Sequence, residues 1–278
     1  VPALWQRDVD AVVVIAHECH DVLAPILSRH PEWRLSFVGT GHCHRTSVQA
    51  AAGTPIVGPT WRLAHYARVR LSIDKAAAAR ERAHVDSYEL VEVGSKVDDP
   101  PPSADAAFDS AIAQWNAEMK RTLGNVIGFS KSGLAQSSTG LGRWIVGAWR
   151  QELGVDAALT TTGAIRQSLP AGPVTLATVH SIMPFDNELF ICELTGAALG
   201  ELSKRSSAVY TGPKALDPTK KYRVATTDFL YFGGDGYTFQ QHDKKPTRTG
   251  KSWREPVITW TQKQRTTDQK PLEALIAR

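Results

Sequence analysis

Residues 126–160 read VIGFSKSGLAQSSTGLGRWIVGAWRQELGVDAALT. Val126 to Ser130 forms a short apolar run, Leu141 to Leu153 spaces its apolar residues as a helix does, and Ala157 to Thr160 is apolar again. Strand, helix and strand in succession predict an α/β unit. Downstream, strands are expected at Phe190 to Leu194 and Tyr222 to Thr226, with a short helix at Thr195 to Ser203 between them. From Gln240 to Arg254 the chain is basic and rich in turn formers, which predicts a solvated loop. Cys192 falls inside a strand pattern and reads as core.

Upstream, Phe108, Ile112, Trp115, Met119 and Leu123 recur at helical spacing and stop at Gly124-Asn125. This predicts an amphipathic connecting helix packed on a core. Ahead of it, Ser95 to Asp105 (SKVDDPPPSAD) holds three consecutive prolines beside acids, a stretch that suits a linker and neither a helix nor a central strand. Three regions follow: 1–94, a linker with its helix over 95–125, and 126–278.

The first region opens with Val9 to Ala16 (VDAVVVIA), a β-branched run expected to be a buried strand. Its C-terminal end delivers His17-Glu18-Cys19-His20-Asp21. A helix from about Val22 to Arg29 follows, then a strand from Leu35 to Val38, and the loop Gly39-Thr40-Gly41-His42-Cys43-His44. Ile56 to Gly58 and the alternating Ala67 to Ile73 read as further strands. Two successive strands thus end in histidine clusters, a placement that suits Zn, Mn or Fe. Cys19 and Cys43 can pair as a disulfide, ligate metal, or simply fill small buried spaces.

The 278 residues carry 42% apolar side chains, enough for one large core or two ordinary ones. The 32 Lys and Arg against 28 Asp and Glu leave a net charge of +4, but the charges are scattered. With no basic run interleaved with aromatics, a nucleic-acid polymer is not an expected partner, whereas a small phosphorylated ligand suits the positive balance. No stretch approaches the roughly 20 apolar residues of a membrane span, so none is expected. A first residue that is Val rather than Met suggests a processed or truncated chain.

Four stretches carry a specific resemblance. Thr161-Thr162-Gly163-Ala164-Ile165-Arg166 is similar to NGGGIR, Pro184-Phe185-Asp186-Asn187 to PFGN, Leu194-Thr195-Gly196-Ala197-Ala198-Leu199 to LTGAxL, and Phe229 to Tyr237 (FLYFGGDGY) to FLxxGGDGY. In this order and spacing they resemble the C-terminal domain of the 5'-nucleotidases. The strand ending in His17, with Gly41-His42-Cys43-His44 after it, resembles the last two metal motifs of the calcineurin-like metallophosphoesterases.

The resemblance implies a mixed α/β (α+β) fold. The end of a metallophosphoesterase β-sandwich with flanking helices would be joined by a linker helix to an α/β 5'-nucleotidase C-terminal domain. It implies metal-dependent hydrolysis of nucleotide phosphoesters, in the periplasm, at the cell surface or after secretion. Phe185 and Phe229 would stack on a base, Arg166 would face phosphate, Asp235 would accept from ribose, and Asn187 and Gly234 would complete a nucleotide or nucleoside site. His17 and His42 would share one of two divalent ions (Zn, Mn or similar), with His44 on the other. The family's Asp-x-His and Gly-Asn-His-Glu motifs, which carry the remaining ligands and the catalytic histidine, do not lie ahead of His17 here. A missing N-terminal segment or a partner chain would supply them; the alternatives are a module that binds a nucleotide-like ligand without turnover, or one chain of a split enzyme. Thr161 stands where the family has Asn, Asp186 where it has Gly, and Ser137 near an expected Arg.

Overall fold

The structure, a computed structural model, describes residues 1–93 and 106–276. It divides into two compact units, Val1–Ser103 and Ala104–Arg278. The proline-rich stretch read as a linker lies outside the described residues.

The first unit contains α1 (Pro2–Trp5), β1 (Val13–Ala16), α2 (His20–Arg29), β2 (Phe37–Thr40), β3 (Ser47–Ala51), β4 (Thr54–Gly58), β5 (His65–Ile73) and β6 (Ala83–Glu92). Its sheet runs β1-β2-β4-β3, and β5 and β6 form a separate hairpin. β1, β2 and β4 are parallel, while β3 returns antiparallel beside β4. Trp5, Val12, Leu27, Leu35, Val38 and Ile56 close a small core over this sheet. The run from Val9 to Ala16 was expected to be a wholly buried strand. Only Val13–Ala16 pairs, and Val13 and Ile15 remain 40% and 81% exposed, because β1 is the outermost strand of the described sheet.

The second unit begins with α3 (Ala106–Leu123), β7 (Val126–Ser130), α4 (Thr139–Leu153), β8 (Ala157–Thr161), β9 (Gly172–Thr175) and α5 (Leu176–Ile182). It continues with β10 (Glu188–Thr195), α6 (Gly196–Ser203), β11 (Ala208–Thr211), β12 (Lys221–Thr227), α7 (Asp228–Tyr231), α8 (Phe239–His242), β13 (Thr247–Ser252), α9 (Glu255–Gln264) and α10 (Glu273–Ile276). The main sheet runs β11-β8-β12-β10-β13, with β8 and β12 parallel and the other pairs antiparallel.

Side-chain alternation divides this sheet between two cores. Ala157, Leu159, Phe190, Cys192, Leu194 and Val224 face α6, α7 and α8. Ala158, Leu189 and Ala225 face the other way, toward Leu141, Trp144, Ile145 and Trp149 of α4 and Val257 of α9. Both buried indoles on α4 have partners, Trp144 donating to Thr261 Oγ1 at 2.9 Å and Trp149 to the Trp253 carbonyl at 2.8 Å. Burial pushes the Cys192 thiol up to about 12, as a core cysteine requires.

Two expectations are overturned here. Gln240 to Arg254 is not a solvated loop: it supplies α8, the edge strand β13 and the fully buried Trp253. Two of its charged residues, Arg248 and Lys251, are exposed on β13, which hid the strand. The apolar stripe of α3 is not packed on a core, since Trp115 is 73% exposed and Phe108, Ile112 and Met119 are all exposed. The helix runs beside few elements of its own unit, so its period is helical while its burial is not that of a core helix.

α10 is pinned by one carboxylate. Glu273 accepts from Ser130 Oγ at 2.6 Å and from the backbone amides of Ser132 and Lys131 at 3.0 and 3.2 Å. Burial alone would raise its pKa, but these hydrogen bonds outweigh it and bring it down to about 2. An ionised Glu273 therefore adds stability that is complete above about pH 4.5 and is lost as pH falls toward 2. Glu273→Gln should cost roughly 1–3 kcal/mol at neutral pH. It should also flatten the acid limb of the unfolding free energy between about pH 4.5 and 2, as measured by urea titration at a series of pH values.

Candidate functional site

The parallel pairing of β8 with β12, Ala157 opposite Val224 and Ala158 opposite Ala225, brings their C-terminal ends to the same edge of the sheet. Such edges, beyond the carboxyl ends of parallel strands, form crevices. β10 runs antiparallel beside β12 with Leu189 opposite Thr227, so the turn that precedes β10 reaches the same edge. Three segments meet there: 161–166, 183–188 and 228–237.

Side-chain contacts join them into one network. Arg166 stands over the Phe185 ring, its guanidinium carbon 5.7 Å from the centroid, and donates to the Gly163 carbonyl at 3.0 Å. Asn187 Nδ2 donates to Asp228 Oδ1 at 2.7 Å, and the same oxygen caps the Phe229 amide at 2.8 Å. The turn bearing Phe185 is thereby tied to the helix bearing Phe229. A Cβ on Gly234 would come within 2.4 Å of the Phe229 ring, so glycine is needed for that ring to lie against the backbone. Asp235 holds φ of 52°, a left-handed conformation uncommon outside glycine and one that concentrates at ligand sites. Its carboxylate accepts from Thr161 Oγ1 at 2.9 Å and its carbonyl from Arg205 at 2.9 Å. Arg166, Phe185, Asn187, Phe229, Gly234 and Asp235 thus belong to one connected surface, and the rings of Phe185 and Phe229 are 45% and 52% exposed there.

Arg254 is the residue that sequence reasoning missed. Its side chain is 12% exposed and donates to the carbonyls of Met183, at 2.9 Å, and Phe185, and to Asp186 Oδ1 at 3.0 Å. The Trp253 indole donates to the same Phe185 carbonyl at 2.8 Å. Asp186, which replaces the glycine expected in PFGN, thus anchors a guanidinium. No local signal marked Arg254, because its partners lie some seventy positions away in the chain. Burial and the nearby Arg254 hold His180 below the usual imidazole range, with Asp186 opposing. Arg254→Ala should cost about 1–3 kcal/mol of stability by leaving the Met183 carbonyl without its donor and the Phe185 carbonyl with the Trp253 indole alone, read by thermal unfolding.

In the first unit, parallel pairing again places the candidate ligands. Ala16 lies opposite Thr40, and the Gly41 amide donates to the Ala16 carbonyl at 3.1 Å, so His17 and His42 leave the sheet side by side. His17 Nε2 and His42 Nδ1 are 3.3 Å apart. Two nitrogens bound to one tetrahedral Zn at about 2.05 Å would be roughly 3.3 Å apart, so the pair fits one ion. His42 and His44 both adopt positive φ, 65° and 53°. The His44 ring stacks on Trp61, with centroids 4.9 Å apart. Cys19 and Cys43 form a disulfide with Cα atoms 5.4 Å apart, which resolves the three alternatives for them. Asp21 lies beside that pair, but disulfide sulfurs are not free to ligate, and its carboxylate pairs with Arg45 at 3.3 Å. The bridge joins the loop after His17 to the middle of His42-Cys43-His44. Cys19→Ser/Cys43→Ser should destabilise the first unit by about 2–4 kcal/mol, measured by denaturant unfolding against the oxidised chain.

The second unit is therefore an α/β domain that gathers two aromatic rings, a guanidinium and a carboxylate at one sheet edge. Residues 117–211 match the family described as 5'-nucleotidase, C-terminal domain. The chain is similar to protein UshA of Yersinia enterocolitica, 28% identical over 152 residues, 45% of this chain and 28% of that protein. A 125-residue stretch is 28% identical to the trifunctional nucleotide phosphoesterase YfkN of Bacillus subtilis, 32% of this chain and 8% of that protein. The chain thus spans about a quarter or less of the curated relatives it matches. Among solved structures, the fold is like that of a 5'-nucleotidase precursor from Thermus thermophilus, with a TM-score of 0.70 at 18% identity over 96% of this chain and 63% of that one. A 5'-nucleotidase-like protein of Staphylococcus aureus is similar with a TM-score of 0.63 at 16% identity, over 93% and 62%. These structures share the mixed α/β fold. Among the described residues, no helix is long and apolar enough to cross a membrane.

Proposed function

We propose that the whole protein hydrolyses phosphoesters of nucleotides with the help of two divalent ions, Zn, Mn or similar. This chain would supply nucleoside recognition and part of the metal site. In that reading residues 1–94 are the end of a metallophosphoesterase domain, 95–125 the linker and its helix, and 126–278 the recognition domain. The observation that carries it is the network at the sheet edge, which holds two exposed aromatic faces and two groups of opposite charge on one surface.

Phe185 and Phe229 offer π-faces to a planar base, the kind of contact worth about 1–3 kcal/mol per base. Asp235 accepts from ribose hydroxyls with the carboxylate oxygen not engaged by Thr161. Arg166, its guanidinium oriented by the Gly163 carbonyl, offers planar donors to phosphate. Asn187 orients rather than binds, since its amide is spent on Asp228. His17 and His42, whose ring nitrogens lie 3.3 Å apart, would hold one ion, and His44 would hold the second. Bound ions would polarise the phosphoryl oxygens and supply an activated water, with the remaining ligands and the catalytic histidine coming from an upstream segment or a partner chain. Export to the periplasm, cell surface or medium is supported by the Cys19–Cys43 disulfide, a bond that persists in oxidising compartments.

Calorimetric titration of the 278-residue chain with adenosine and AMP tests recognition. Binding is expected in the micromolar to millimolar range, weakened about tenfold or more by Phe185→Ala or Phe229→Ala. Unaltered affinity in both variants would sink the stacking assignment. Phosphate release from nucleotides by the complete protein with Mn or Zn tests catalysis. Binding by the chain with no turnover by the complete protein would leave the second reading, a nucleotide-binding module. That reading is favoured by Thr161, which engages the Asp235 carboxylate where the resemblance expects a base-contacting Asn.

A further inference from the structure

α4 presents Arg143, Gly147 and Arg150 at i, i+4 and i+7, along one face of the helix. Above that face lies a cavity of about 470 Å³, lined also by Trp260 of α9, Lys214 of the β11–β12 turn and Ile276 of α10. Its volume falls within the roughly 300–1,000 Å³ of small-ligand sites. It is built from helix faces and the β11–β12 turn, and shares no lining residue with the recognition surface.

Three features point to an anionic ligand. First, no acidic residue lines the cavity. Second, Arg143, Arg150 and Lys214 all line this one cavity, and none has a carboxylate partner among the described residues. The neighbouring cavity, which shares Lys214 and Tyr210, sets Glu201 against Lys204 and Lys214, so an acid is present there. Third, Gly147 sits in the middle of α4, where glycine is less stable than alanine, yet a Cβ there would meet nothing within 4 Å. Packing therefore does not demand glycine, and the missing side chain leaves open floor between the two arginines. The turn carrying Lys214 is held by the Tyr210 hydroxyl, which donates to the Pro213 carbonyl at 3.0 Å. The Trp260 indole is spent on Gln151 Oε1 at 2.9 Å, so it offers the ligand an apolar wall rather than a donor.

We propose that this groove is a second binding site, for a compact anion bearing two or three linked phosphate groups. Arg143 and Arg150 flank Gly147 along α4, and Lys214 lines the same groove from the β11–β12 turn. One phosphate would leave at least one of the three cations unmatched; a di- or triphosphate meets all of them. The same chemistry is found in free polyphosphate and in the tail of a nucleoside triphosphate.

Calorimetric titration of the 278-residue chain with inorganic triphosphate at low salt is the test. One saturable site is expected, weakened about tenfold or more in R143Q/R150Q and in G147L, whose side chain fills the floor. It should be weakened less in K214Q and unchanged in Phe185→Ala. G147A should bind nearly as the parent does and unfold at the same or a higher temperature. If R143Q/R150Q fails to fold, K214Q and G147L decide. ATP that competes with triphosphate assigns the nucleotide tail as the ligand; triphosphate that ATP does not displace assigns free polyphosphate. Absence of saturable triphosphate binding, equal affinity in the folded arginine and Gly147 variants, or loss of binding in Phe185→Ala overturns the proposal.

Discussion

The candidate site at the sheet edge depends on the parallel pairing of two short strands, β8 and β12. Parallel neighbours need a long crossover between them, and the chain from Thr162 to Lys220 provides it. Because the pairing is in register at Ala157 and Val224, the segments that follow Thr161 and Thr227 emerge together. The small side chains of Ala157, Ala158 and Ala225 let helices close on both faces of the sheet, and Arg166, Phe185, Phe229 and Asp235 lie at its edge. There the backbone must turn within a few residues, which is why Gly234 and the left-handed Asp235 occur together.

The first unit repeats the device with a different payload. Level parallel strands bring His17 and His42 to within a ligand-pair distance, although 25 positions separate them. The disulfide between Cys19 and Cys43 sits just beyond, so two otherwise independent loops share one covalent constraint. A crosslink there restricts the unfolded chain and keeps the histidine nitrogens facing each other. In both units, sheet register does the coarse positioning and a side-chain tie does the fine positioning.

Substitutions that look like losses when set beside the family pattern acquire partners in three dimensions. Thr161 donates to Asp235, so the carboxylate is oriented although the asparagine is gone. Asp186 replaces a glycine and holds Arg254, which in turn holds the Phe185 carbonyl. Both exchanges place hydrogen bonds in the frame around the candidate site.

The alternation of strand and helix from Val126 to Thr226, the core role of Cys192, and the histidine-bearing strand ends were all legible in the sequence, because each is written in local period and composition. The four glycine- and aromatic-bearing stretches were legible for a related reason: tight turns admit few residues, so their spelling is distinctive. What the tertiary structure decided is everything set by distance across the chain. It made Cys19 and Cys43 partners, left the stripe of α3 exposed, and turned the basic stretch before Arg254 into an edge strand and an anchor. Periodicity reports which face of an element is apolar; what that face meets depends on elements far away in the chain.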